Sequence, residues 1–120
     1  MAYSYRELSV WQKGIALVVK IYQLTESFPK SELYGLSGQM RRAAVSIPAN
    51  IAEGSARGHR QEYRQFVKIA YASGAELETH LEIGKRLNFI SVSDARDTEE
   101  LLCEIMKMLN ALAKSLSKNR

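Results

Sequence analysis

The sequence predicts an all-α fold: an antiparallel up-down-up-down four-helix bundle forming one domain over residues 1–120. Three observations predict it. Apolar and small residues recur at intervals of three and four almost throughout, which places them on one face of a helix, and no strand-like alternation competes. The segments carrying this period are long and their connections short, so each helix most economically packs antiparallel to the next. A chain of 120 residues buries roughly two-thirds of its unfolded surface, enough for one core without covalent staples.

Helix one is expected over about residues 8–27, with Val10, Gly14, Leu17, Ile21, Leu24 and Phe28 on its seam and Pro29 ending it. Helix two, about 36–53, carries Leu36, Met40, Ala43, Ile47 and Ile51, and Gly54 reads as its C-terminal stop. Helix three, about 61–87, presents Tyr63, Phe66, Ala70, Ser73, Leu77, Leu81 and Gly84. Helix four, about 93–117, opens at Ser93 as N-cap, with Asp94 in the first turn, and runs through Leu101, Ile105, Met108, Leu112 and Leu116. Small residues on these seams, such as Gly14, Ala43, Ala70 and Gly84, let helix axes approach closely.

Pro48 interrupts this pattern, because an interior proline costs a helix about 3 kcal/mol. Two readings fit. Ile47 and Ile51 keep helical spacing across it, as in a continuous kinked helix with the Ala44 carbonyl left free; the alternative is a break. In a continuous helix Arg42, Ser46, Asn50, Glu53 and Arg57 share one polar stripe. The expected role of Ser46, Asn50 and Glu53 is structural, with Asn50 and Glu53 tying helix two to helix three or four.

The net charge of +4 is concentrated. Between residues 41 and 68, Arg41, Arg42, Arg57, Arg60, Arg64 and Lys68 face only Glu53 and Glu62, while the rest of the chain balances at eleven of each sign. Such a segment is a solvated face with local pairs such as Glu53 to Arg57, a footprint for a polyanion, or one side of a subunit interface.

Chemistry is poorly provided for. The two histidines, His59 and His80, lack a Cys or His partner at ligand spacing, and the lone Cys103 lacks one too. Glu76 and His80, four apart, read as a surface pair; a di-iron Glu-x-x-His motif fails because position 77 is Leu. Neither G-x-G-x-x-G nor a phosphate-cradling G-x-x-x-x-G-K-[ST] occurs. The expectation is a non-enzyme with no metal and no cofactor. The longest apolar run, Gly14 to Val19, is far below the roughly 20 residues of a membrane span, and no N-terminal apolar leader is visible. With one cysteine, the chain reads as soluble and cytoplasmic.

The runs "YRELSVWQKGIALVVKIYQLTESFP", "ELYGLSGQMRRAAVSIPANIAEGSARG" and "EYRQFVKIAYASGAELETHLEIGKRL" resemble the bacterial ribosomal RNA intervening-sequence proteins. Relatives of that family include the accessory variability proteins of diversity-generating retroelements. The similarity covers about residues 5–90, with "RRAAVSIPANIAEG" as its most specific stretch; helix four matches only in periodicity. It implies a left-handed four-helix bundle that accommodates Pro48 within helix two and assembles into a ring-like homopentamer. Family members are encoded within insertions in large-subunit ribosomal RNA genes or beside reverse transcriptases, and the retroelement relatives bind the reverse transcriptase and nucleic acid. No catalytic residue comes with the resemblance, only basic character at Arg41, Arg42, Arg57 and Arg64. One departure is His59, where the family often has Ser or Thr opening an S-x-x-E capping box with the residue matching Glu62. That substitution either lets the helix start fray or frees His59 for the basic surface.

Two functions of different class follow. In one, Arg41, Arg42, Arg57, Arg60, Arg64 and Lys68 contact the phosphates of RNA or DNA, with selectivity from shape, since no aromatic platform is interleaved with the arginines and Tyr63 reads as core. In the other, the bundle is a protein adaptor or scaffold docking a reverse transcriptase or ribonucleoprotein partner.

Overall fold

A computed structural model describes residues 4–117. Four helices dominate it: α1 (Ser9–Thr25), α2 (Leu36–Ala56), α3 (Arg60–Arg86) and α4 (Val92–Leu116), with short 3-10 turns at Tyr5–Glu7 and Lys30–Glu32 and no strand among the described residues. They form an elongated four-helix bundle measuring 49 × 21 × 20 Å. Each helix packs on its successor and α1 closes against α4, while neither diagonal pair brings its backbones together. Contacts run in opposite directions along neighbouring helices. Arg41 meets Thr25 where Pro48 meets Gly14; Ser46 meets Ser73 where Gly54 meets Phe66; Lys85 meets Glu99 where Arg60 meets Ser115.

The core is one continuous cluster. Leu17 and Ile21 of α1, Met40, Ile47 and Ile51 of α2, Val67, Leu77 and Leu81 of α3, and Leu102, Ile105 and Leu109 of α4 are fully buried. On α4 the buried stripe includes Leu102, Ile105, Met106 and Leu109: of the expected seam Ile105 is buried, while Leu101, Met108, Leu112 and Leu116 flank the stripe half-buried. Both stripes are apolar at helical spacing, and packing against α3 and α1 selects between them. Gly74 of α3 faces Met106 and Leu102 directly.

Helix ends follow local chemistry. Ser91, not Ser93, caps α4: its hydroxyl accepts from the Asp94 N–H at 3.0 Å, while Ser93 lies inside the helix. Gly54 does not stop α2. A β-carbon there would lie 2.7 Å from Phe66 Cβ, so this glycine lets α3 approach, and the helix runs on to Ala56. The reversal falls to Gly58, whose φ of 79° is the left-handed conformation that a side chain disfavours. At the end of α3, Asn88 takes the same role with φ 62°; the N–H of Phe89 donates to Gly84 and that of Asn88 to Lys85, the two bonds of a Schellman cap.

Pro48 is buried inside an unbroken α2, so the continuous-helix reading holds and the break does not. Its missing N–H leaves the Ala44 carbonyl without the usual intrahelical donor. His80 departs from expectation: it is a buried side chain, 6% exposed, not part of a surface pair. Its Nε2 lies 3.6 Å from Glu76 Oε2, and Nδ1 has no hydrogen-bond partner among the described residues. Burial is the main cause holding its pKa below the ordinary value, with Arg42 lowering it further and Glu76 opposing. No helix among the described residues is long and apolar enough to cross a membrane.

Candidate nucleic-acid interface

The six basic residues contiguous in sequence divide between the two ends of the bundle. Arg42 on α2 and Arg57 at its C-cap are fifteen residues apart along an unbroken helix, about 22 Å at 1.5 Å per residue. Arg41 and Arg42 thus belong to the end where α1 finishes and α2 begins. Arg41 is anchored there, its Nε donating to Thr25 Oγ1 at 2.9 Å and its guanidinium lying 4.7 Å from the Tyr22 ring centre. Arg42 is exposed beside Ser46, Val45 and Tyr34.

At the other end the α2–α3 turn gathers Arg57, Arg60, Arg64 and Lys68. Arg57 pairs with Glu53 at 3.2 Å and covers the Phe66 ring at 5.0 Å. Arg60 and Arg64 have a further task. Their Nη2 and Nε donate to the carbonyls of Ser115 and Ala113 at 2.7 and 3.2 Å. Those carbonyls belong to the last turn of α4, where intrahelical donors run out and the helix dipole is negative, so the two arginines complete that terminus. Lys68 is exposed and makes no ion pair among the described residues. His59 is the exposed N-cap of α3 and bonds no backbone N–H through its side chain.

Packing of α4 brings a residue into this end that sequence order could not supply. Lys114 lines a groove of about 380 Å³ with Arg64 and Lys68, and no carboxylate is among the lining residues. Tyr71, 42% exposed, lines the same groove. The spacing of Arg64, Lys68 and Tyr71 at i, i+4 and i+7 was the available signal for that aromatic beside the cations. Tyr63, by contrast, packs half-buried against the core.

The polar stripe on α2 is structural in its geometry. Ser46 Oγ meets Ser73 Oγ at 2.8 Å, bridging α2 to α3, and Asn50 Nδ2 donates to both the Ser46 carbonyl and hydroxyl at 2.8 Å. Asn50 therefore braces the bridge and does not itself cross. Glu53 stays on α2, paired with Arg57. No cluster of three or more His, Cys, Asp or Glu side chains suited to a metal is present among the described residues.

Fold and site together define a small α-helical bundle with cations gathered toward one end. The sequence profile of the 23S rRNA-intervening sequence proteins matches residues 6–111, and the chain belongs to that family. The match includes most of α4, beyond the reach of the sequence resemblance. A crystal structure from Bacteroides thetaiotaomicron VPI-5482, of a protein with unknown function from the S23 ribosomal protein family, is similar with a TM-score of 0.78. It shares 26% sequence identity, over 88% of this chain and 98% of that one. No functionally curated protein matches the chain.

Proposed function

We propose that the protein is a non-enzymatic, homo-oligomeric bundle that binds the backbone of RNA or DNA through the end containing Arg57, Arg60, Arg64 and Lys68. The observation that carries this reading is the addition of Lys114 to Arg64 and Lys68 in a groove without a carboxylate. Cations held close with no local acid attract a polyanion and release its counterions, so affinity falls steeply with salt, by about 0.9 log units per log unit of salt for each phosphate neutralised on duplex DNA. Arg41 and Arg42 lie too far along α2 to share one short stretch of backbone with this end, and they contribute to a second contact or to assembly.

Self-association is supported by the exposed apolar face of α1 and α2. Ile15, Val19, Tyr22 and Val45 are 41%, 51%, 46% and 42% exposed, an unusual outlay of large apolar side chains for a lone bundle. The family resemblance makes a ring-like homopentamer the expected assembly. The same face gives the adaptor reading its support, with a reverse transcriptase or ribonucleoprotein protein as the occupant.

The test is a fluorescence anisotropy titration against structured RNA, duplex DNA and single-stranded DNA at low and physiological salt. Because Arg60 and Arg64 also hold the end of α4, the informative variant is the Arg57→Ala, Lys68→Ala, Lys114→Ala triple, with mass checked by light scattering. Salt-sensitive binding that the correctly assembled variant loses supports the proposal. Binding that vanishes at physiological salt in the wild type overturns it in favour of a protein partner.

A further inference from the structure

We infer that the groove between α3 and α4 is a binding site for one unstacked nucleotide of a single strand, a specialisation that rests on the nucleic-acid reading above. Its volume of about 380 Å³ lies in the range of small-ligand pockets. A continuous duplex offers only its phosphate rim to such a concavity, whereas a base turned out of its stack enters it.

The walls suit the two halves of a nucleotide. Tyr71 supplies an exposed aromatic face, while Leu109 and the small Ala72 and Ala113 supply an apolar floor that leaves room for a flat ring. Bases stack on aromatic side chains regardless of identity. Asn110, from α4, adds an amide that both donates and accepts at a base edge. Lys68 and Lys114 approach from opposite walls and are exposed, positioned for the phosphates that flank the base. Arg64 is preorganised: its Nε is held by the Ala113 carbonyl at 3.2 Å, which fixes the guanidinium plane at the groove.

This arrangement separates two contributions. The cations act on any backbone, and Tyr71 acts only on a strand that carries accessible bases. Preference for single strands is thus assigned to one side chain outside the run of arginines.

The experiment measures anisotropy of a labelled oligouridylate, an abasic strand of equal length and an RNA duplex of equal length, with wild type, Tyr71→Ala, Tyr71→Phe and Ala72→Gln. The expected result is that oligouridylate binds most tightly, that Tyr71→Ala weakens it about tenfold, and that the abasic strand and duplex are unaffected by that change. Tyr71→Phe retains binding, and Ala72→Gln, which fills the groove without altering charge, reproduces the loss even if Tyr71→Ala fails to fold. Equal binding of all three nucleic acids, unchanged by Tyr71→Ala and Ala72→Gln, overturns the groove while leaving the backbone-binding function standing. Absence of binding to all three overturns both. Uridine monophosphate that displaces the strand at the strand's own affinity reassigns the groove to a free nucleotide and overturns the strand assignment.

Discussion

Gly14 of α1 lies so close to Pro48 of α2 that a β-carbon at position 14 would sit 3.3 Å from the proline Cβ and 3.4 Å from its Cδ. The proline ring, buried at the α1–α2 contact, fills the space that the glycine leaves. An interior proline that costs a helix about 3 kcal/mol is thereby offset in part by apolar burial, and the two positions act as a unit. Gly14→Leu is expected to lower the unfolding free energy by about 1–3 kcal/mol through overpacking. In a Pro48→Ala background the same change costs less, because the ring Cδ, 3.4 Å from that β-carbon, is gone while Cβ remains. Urea denaturation of the two single variants and the double variant measures this coupling; strictly additive costs remove it.

Gly58 is the second backbone position with a defined penalty. Its φ is 79° and nothing lies within 4 Å of an added β-carbon, so a substitution meets conformational cost without a clash. Gly58→Ala is expected to destabilise by about 1–2 kcal/mol, and Gly58→Asn by less, since asparagine tolerates this region as Asn88 does at the next turn. Thermal melts of the two variants rank them; an alanine variant as stable as wild type contradicts the assigned turn.

Much of this fold was legible because its signals are local and redundant. The seam positions Leu17, Ile21, Met40, Ile47, Ile51, Leu77 and Leu81 share one periodicity and all prove buried. The exceptions arise where local patterns are degenerate. Leu101 and Leu102 offer α4 two adjacent faces, and Ser91 and Ser93 two plausible caps, which tertiary contact and backbone conformation decide. His80 reads as polar from its neighbours Glu76 and Glu78, yet the phase of α3 set by Leu77 and Leu81 turns it inward. The site was only half legible for a different reason. Charge concentrated in one segment of sequence is divided by the length of α2, while Lys114 reaches the groove beside Arg64 only when α4 folds back.

His80 gives stability a pH dependence with a definite sign. Its pKa is lowered in the folded state, chiefly by burial, from 6.5, so the unfolded chain binds the proton more readily. The neutral form is stabilising above 6.5; stability falls as pH drops below that value and this contribution levels off once pH passes the lowered folded pKa. His80→Gln removes the ionisation while keeping a polar side chain. The urea midpoint difference between wild type and this variant is expected to shift against wild type on acidification through that window. A constant difference shows that the histidine does not carry the effect.

Arg64 and Lys68 separate stability from binding at the cationic end. Arg64 donates to the terminal turn of α4, so Arg64→Ala is expected to cost about 1 kcal/mol and to speed amide exchange in the last turn of that helix. Lys68, exposed and without an ion pair among the described residues, is expected to change stability by no more than about 0.5 kcal/mol when replaced by alanine. Under the proposed function, both variants are expected to reduce polyanion affinity and to flatten its salt dependence. Paired denaturation and anisotropy measurements distinguish them, and a Lys68→Ala variant as unstable as Arg64→Ala contradicts the division.

Assembly is tested at Val45, which is shared by two adjoining concavities on the α1–α2 face. One is lined by Tyr5, Trp11, Ile15 and Pro48, the other by Tyr22, Leu33, Tyr34 and Arg41. A charge placed at their junction interrupts the whole apolar surface, whereas the isolated bundle accommodates it because the side chain is 42% exposed. Val45→Arg is therefore expected to reduce the mass measured by light scattering to that of a single chain, with its helical circular dichroism retained. Its stability at high dilution is expected to match that of dissociated wild type. Wild-type protein that remains a single chain at high concentration contradicts self-association through this face, and a variant that keeps the oligomeric mass moves the interface elsewhere on the bundle.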